Sequence, residues 1–186
     1  KPVRFSIGKP WKKLIEKYNC NIIGIARNES KLIQAKNSLA DKKDYFNYFL
    51  MDVSVKENWL KLKDYLLSNN IKPDVLINNA GIFSFCDILN TPIERIQRMI
   101  HLHDITSTLN CRLYAADMIK RGGGRILNMS SFSIWMPYPG LSLYSASKAY
   151  LKSFSVAFSK EVEAKGVTVT AICPAGIATD LYGLSP

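Results

Sequence analysis

Short, apolar, β-branched runs alternate with amphipathic stretches along nearly the whole chain, and this alternation restricts the fold more than any other feature. Residues 21–26, 46–51, 75–77, 126–129 and 167–172 read as strands. Between them, residues 8–18, 29–39, 55–67, 91–120 and 141–165 place apolar side chains at helical spacing, as Trp59, Leu60, Leu62, Leu66 and Leu67 do in the third. Gly122-Gly123-Gly124 and Gly166 close the two long helices, and Pro174 ends the last strand. A helix between successive strands forces parallel pairing through right-handed crossovers, and parallel sheets are covered on both faces. The expected fold is therefore α/β, a doubly wound parallel sheet with helices on both faces. No repeat, low-complexity segment or linker divides the 186 residues, so residues 1–186 read as a single domain.

Such folds bind ligands beyond the carboxyl ends of their strands. That rule directs attention to Arg27, Asp52, residues 78–81, Ser130, Ser131 and Pro174 onward, where polar and glycine-rich residues collect. The formal net charge is +10, but its lysines and arginines are dispersed between apolar positions, as Lys61, Lys63, Lys152 and Lys160 are. That dispersal describes a solvated surface, with part of the charge suited to a phosphate-rich small ligand. No nucleic-acid recognition motif accompanies it, so no nucleic-acid partner is expected. Cys20, Cys86, Cys111 and Cys173 are far apart and no histidines cluster, which predicts neither a metal site nor a disulfide scaffold. The thiols read as reduced, in a cytoplasmic protein. No apolar run reaches 18 residues, so no membrane span is expected, and Lys1-Pro2-Val3-Arg4 does not open a secretory signal.

Tyr144 and Lys148 stand four apart in a helical stretch and therefore share a face. An ammonium beside a phenol favours the phenolate, which fits Tyr144 for proton exchange with a carbonyl or alcohol oxygen. Ser131 stands thirteen residues earlier, at a strand end, where its hydroxyl could donate to the same oxygen.

Four segments taken together resemble the short-chain dehydrogenase/reductase family. Residues 74–81, ending Asn78-Asn79-Ala80-Gly81, are similar to its Asn-Asn-Ala-Gly signature, and residues 124–131 to its serine strand. Tyr144-Ser145-Ala146-Ser147-Lys148 matches its Tyr-x-x-x-Lys, and Pro174-Ala175-Gly176-Ile177-Ala178-Thr179 resembles its cofactor loop. The order and spacing are the family's, from about Gly8 to the C-terminus. The resemblance implies a Rossmann-like NAD(P)-binding domain that transfers a hydride between a nicotinamide cofactor and a carbonyl or alcohol substrate. It implies that Ser131 polarises the substrate oxygen, Tyr144 exchanges the proton, and Lys148 holds the nicotinamide ribose. It assigns Asp52 and Val53 to the adenine pocket, Asn79, Ala80 and Gly81 to the adenosine side, and Pro174, Gly176, Ile177 and Thr179 to the nicotinamide side. The cofactor expected is NADP rather than NAD: Ala26 takes the place of the acid that binds the NAD ribose, Arg27 follows it, and Arg4 and Lys9 add charge.

The sequence departs from the family in three places. Its glycine signature aligns with Lys1, Pro2, Ser6 and Gly8, leaving almost no first strand and Ser6, Ile7 and Gly8 as the pyrophosphate contacts. His103 falls where the family has a catalytic-centre asparagine, and is counted with the catalytic residues as a candidate for the proton relay. The family continues past this chain's last residue with a covering helix and strand, so the domain is expected to be incomplete at both ends. These departures keep open a second function, a non-catalytic member that binds a nucleotide or a partner. Trp135, Met136, Tyr138 and Pro139 are expected to line one side of a substrate pocket. The surplus of apolar residues on the two long helices, Tyr150, Phe154 and Phe158 among them, suggests a homodimer or homotetramer.

Overall fold

The strands β1 (Val3–Phe5), β2 (Asn21–Ala26), β3 (Phe46–Leu50), β4 (Pro73–Asn78), β5 (Gly124–Met129) and β6 (Val167–Ile172) form one sheet in the order β3-β2-β1-β4-β5-β6. All five pairings are parallel. This is a computed structural model, and it describes residues 3–5, 11–83 and 85–175, with residues 3–5 described as backbone alone. The order reverses between β1 and β4, which opens a crevice above the carboxyl ends of the central strands. The expected α/β class, parallel and doubly wound, is the observed one.

The helices α1 (Trp11–Tyr18), α2 (Glu29–Asn37), α3 (Lys56–Ser68), α4 (Ile93–Ile100), α5 (Thr106–Lys120) and α6 (Ser142–Val162) lie between the strands. Alternation within β2 divides the two faces. Ile22 packs with Ile15, Leu32, Leu39 and Phe46. Ile23 and Ile25 point the other way, into a larger core with Trp59, Leu62, Leu66, Leu76, Tyr114, Met118, Ile126 and Val169.

Two sequence expectations need correction. Residues 3–5, where almost no first strand was expected, form a three-residue strand that pairs with β2 on one side and β4 on the other. Val3 and Phe5 are strand formers, and the sheet requires a strand between β2 and β4. Ser6, Ile7, Gly8 and Lys9 lie outside the described residues, as do Gly176, Ile177 and Thr179. The stretch 91–120 is not one regular helix either. A π-helical turn, His101–Ile105, separates α4 from α5, and Thr106 N–H donates to His101 O, five residues back. Single π-turns insert one extra residue per turn and often sit at functional sites; here the turn carries His103 inward, 1% exposed.

Candidate active site

Three elements meet at the carboxyl ends of β4 and β5: the loop after β4, the π-turn and the first turns of α6. Reciprocal hydrogen bonds tie β5 to α6. Ser130 Oγ donates to Lys148 O at 2.7 Å, and Lys148 Nζ donates back to Met129 O at 2.9 Å. Ser131 follows with an extended backbone and caps a short 3-10 turn, its Oγ accepting from Ser133 N–H at 3.2 Å. That bond uses an oxygen lone pair and leaves the hydroxyl hydrogen to point elsewhere.

Tyr144 and Lys148 are both buried, and the Lys148 ammonium lies 5.8 Å from the Tyr144 ring centre. The Phe83 ring meets the tyrosine edge-on at 5.1 Å, and His103 does so at 5.9 Å. His103 Nε2 accepts from Ile82 N–H at 3.0 Å. The ring hydrogen therefore resides on Nδ1, which donates to Ser147 Oγ at 2.8 Å. Ser147 in turn donates to Tyr144 O at 2.8 Å. One imidazole thus joins the loop after β4 to the helix that holds Tyr144. Burial, and after it the Lys148 charge, pushes the His103 pKa down to about 3, so the ring is neutral at ordinary pH. Gly81 is closely packed: a Cβ there would lie 3.0 Å from His103 Nε2 and push the ring by a few tenths of an ångström.

Three of the positions expected to hold a dinucleotide share one cleft. Val53, Asn79 and Ala80 line it with Ile23, Ile25 and Asn78. Arg27, just past β2, pairs with Asp52, just past β3, at 3.6 Å. Burial works against the Asp52 charge, but the Ser54 hydroxyl and amide, then Arg27 and Arg98, hold its pKa below the ordinary value. Pro174 lies beside the serine turn, its carbonyl accepting from Phe132 N–H at 2.9 Å. Trp135, Met136 and Tyr138 are more than half exposed; Tyr138 approaches Phe85, and the Lys152 ammonium sits 4.9 Å over Trp135.

The sequence reading named Asn78 but gave no supporting role to it or to its partners. Asn78 Nδ2 donates to Asn128 Oδ1 at 2.8 Å across the adjoining strands, and Asn128 Nδ2 donates to Ser155 Oγ at 2.8 Å. Asn110 Nδ2 reaches Asn78 Oδ1 at 3.3 Å. A signal existed for two of them, because an asparagine closing or interrupting an apolar strand is a buried polar group in need of partners. Ser147 offered none: its role comes from His103, 44 positions away in the chain.

Residues 5–184 match the family model described as short chain dehydrogenase. The chain is 31% identical over 187 residues to mouse very-long-chain 3-oxoacyl-CoA reductase, covering 94% of this chain and 57% of that protein. It is also 31% identical, over 179 residues, to human inactive hydroxysteroid dehydrogenase-like protein 1, covering 94% of this chain and 54% of that one. The chain thus spans little more than half the length of these curated relatives. Among solved structures, a short-chain dehydrogenase from Streptomyces avermitilis superposes with a TM-score of 0.86 at 26% identity, over 98% of this chain and 68% of its own.

Proposed function

Since the chain belongs to the short-chain dehydrogenase/reductase family, we propose that it transfers a hydride between NADP(H) and a carbonyl/alcohol substrate. The observation that supports this best is the burial of Tyr144 and Lys148 together on one turn of α6, with Lys148 anchored to Met129 O beside Ser130 and Ser131. In this reading the cleft at Val53, Asn79 and Ala80 and the Arg27 guanidinium just past β2 serve the dinucleotide. When bound, the nicotinamide supplies the hydride. In this reading the Ser131 hydroxyl donates to the substrate oxygen, Tyr144 gives that oxygen its proton, and Lys148 holds the ribose and favours the phenolate left behind. His103 positions the loop after β4 and α6 against each other rather than carrying a proton, because both ring nitrogens are engaged. The substrate wall is apolar and aromatic, formed by Phe83, Trp135, Met136 and Tyr138. Among the described residues no helix is long and apolar enough to cross a membrane, and Cys20, Cys86, Cys111 and Cys173 are free thiols. The test is oxidation of reduced NADP with a panel of ketones, aldehydes and 3-oxoacyl thioesters.

Binding without turnover is the second reading, favoured by His103 at the asparagine position and by the likeness to a relative named as inactive. It predicts cofactor affinity with no reduction of any substrate on the same panel.

Two further outcomes are expected. Arg27→Ala should weaken reduced NADP by about tenfold, the scale of one charge-assisted hydrogen bond, and reduced NAD far less. Fluorescence titration of both cofactors checks this, and an unchanged ratio rejects the preference. The protein should also be a dimer or tetramer. Tyr150, Phe154 and Phe158 stack along α6 at 6.1 and 5.3 Å, Tyr150 and Val156 remain 43% and 58% exposed, and Tyr150 bonds to Thr108 of α5. Val156→Glu should shift the light-scattering mass toward the monomer.

A further inference from the structure

The π-turn carries two histidines two positions apart, and side chains at that spacing on a helix do not face the same way. His103 meets the loop after β4 and α6. His101 meets the loop after β3: its Nε2 lies 2.8 Å from Ser54 O, 47 positions away in the chain and partly shielded from solvent. A carbonyl oxygen only accepts, so the ring nitrogen is the donor. The backbone of His101 is engaged as well, its carbonyl accepting the Thr106 N–H that closes the π-turn. One residue therefore links the start of α5 to the loop after β3.

Both of these places lead into the cleft read above as the cofactor's. Val53 and Thr106 line it, with Asn79 and Ala80 from the loop after β4. Val53 sits in a turn built on Asp52: Ser54 N–H and Ser54 Oγ donate to Asp52 Oδ1 at 2.9 and 2.6 Å, and Asn58 Nδ2 donates to Asp52 O at 2.9 Å. Trp59 Nε1 donates to Val53 O at 2.6 Å. Asn58 and Trp59 belong to α3 and fix the turn to that helix, whereas His101 fixes it to the π-turn, which Thr106 follows. We propose that His101 is a positioning residue: it sets the separation of Val53 and Thr106, between which the adenine ring of the cofactor is received. The inference rests on the reading of this cleft as the cofactor's, and it gives His101 no contact with the ligand. Separation matters because a flat apolar ring gains dispersion from a wall only in close contact, and a gap of about 0.5–1 Å forfeits a quarter to a half of it.

The test titrates the parent, His101→Phe and His101→Gln by calorimetry with adenosine 2′,5′-bisphosphate, the adenosine half of NADP. Phenylalanine keeps a ring and loses the donor, while glutamine places an amide N–H at similar reach. His101→Phe should weaken binding by about fivefold, the scale of one hydrogen bond, and His101→Gln should stay within about twofold of the parent. Hydrogen exchange of a peptide covering residues 52–55, measured without ligand, should quicken in His101→Phe and not in His101→Gln. Unchanged affinity in folded His101→Phe overturns the proposal. So does an equal loss in both variants, which would mark His101 as a packing residue, and so does a loss of affinity with unchanged exchange at 52–55. A parent that takes up neither the bisphosphate nor reduced NADP rejects the cofactor reading itself, and the inference with it. A parent that binds and reduces nothing, with the expected pattern across the variants, supports the role of His101 and favours binding without turnover.

Discussion

Tyr144→Phe is expected to slow carbonyl reduction by about 10²–10⁴-fold, the usual cost of removing a general acid. Cofactor affinity should stay within about twofold of the parent, because the ring that packs on Phe83 and His103 keeps its shape. Lys148→Ala should behave differently. It removes the donor to Met129 O and the charge beside the phenol, so both rate and cofactor binding should fall. Steady-state kinetics on the carbonyl panel, with cofactor titration of each variant, separates the two patterns. Full activity in Tyr144→Phe on any substrate that the parent reduces would refute the assignment.

The second large effect is on stability. His103 binds its proton at about 3 in the folded protein and at about 6.5 in the unfolded chain. Its folded pKa is depressed, so the unfolded chain holds more protons between those limits. The contribution of the neutral ring is complete above about 6.5 and is lost as pH falls toward 3. At about 1.4 kcal/mol per pH unit, the loss between pH 6.5 and pH 5 is about 2 kcal/mol. Asp104 works in the opposite sense. Its folded pKa is raised to about 6, so it favours the folded state as pH falls from there toward its ordinary value, and the acid response of the parent is the sum of the two. Comparison with His103→Asn isolates the histidine. The variant should be less stable than the parent at pH 7, where it lacks the clamp between Ile82 and Ser147, and the gap should narrow by about 2 kcal/mol at pH 5. Urea denaturation at the two pH values measures it. A gap independent of pH would mean that His103 titrates in the folded protein as it does in the unfolded chain, which would restore it as a candidate proton carrier.

The sequence by itself determined the sheet and the order of its elements. Residues 21–26 and 167–172 coincide with β2 and β6, because short β-branched runs between amphipathic helices have few other ways to bury their backbone. It also located Tyr144, Lys148 and Ser131, since one helical turn and one strand end are local features. Only the tertiary structure decided the rest. Val3–Phe5 became a central strand because the sheet needs one between β2 and β4, a condition no local pattern in so short a run conveys. The regular helical period through 91–120 gave no sign of the π-turn, whose geometry is fixed by what His103 meets on the loop after β4 and on α6. The charge states of His103, Asp104 and Lys148 were likewise out of reach of the sequence. Each depends on how much water the packed elements exclude and on which charges they enclose together, and both quantities exist only once distant parts of the chain have met.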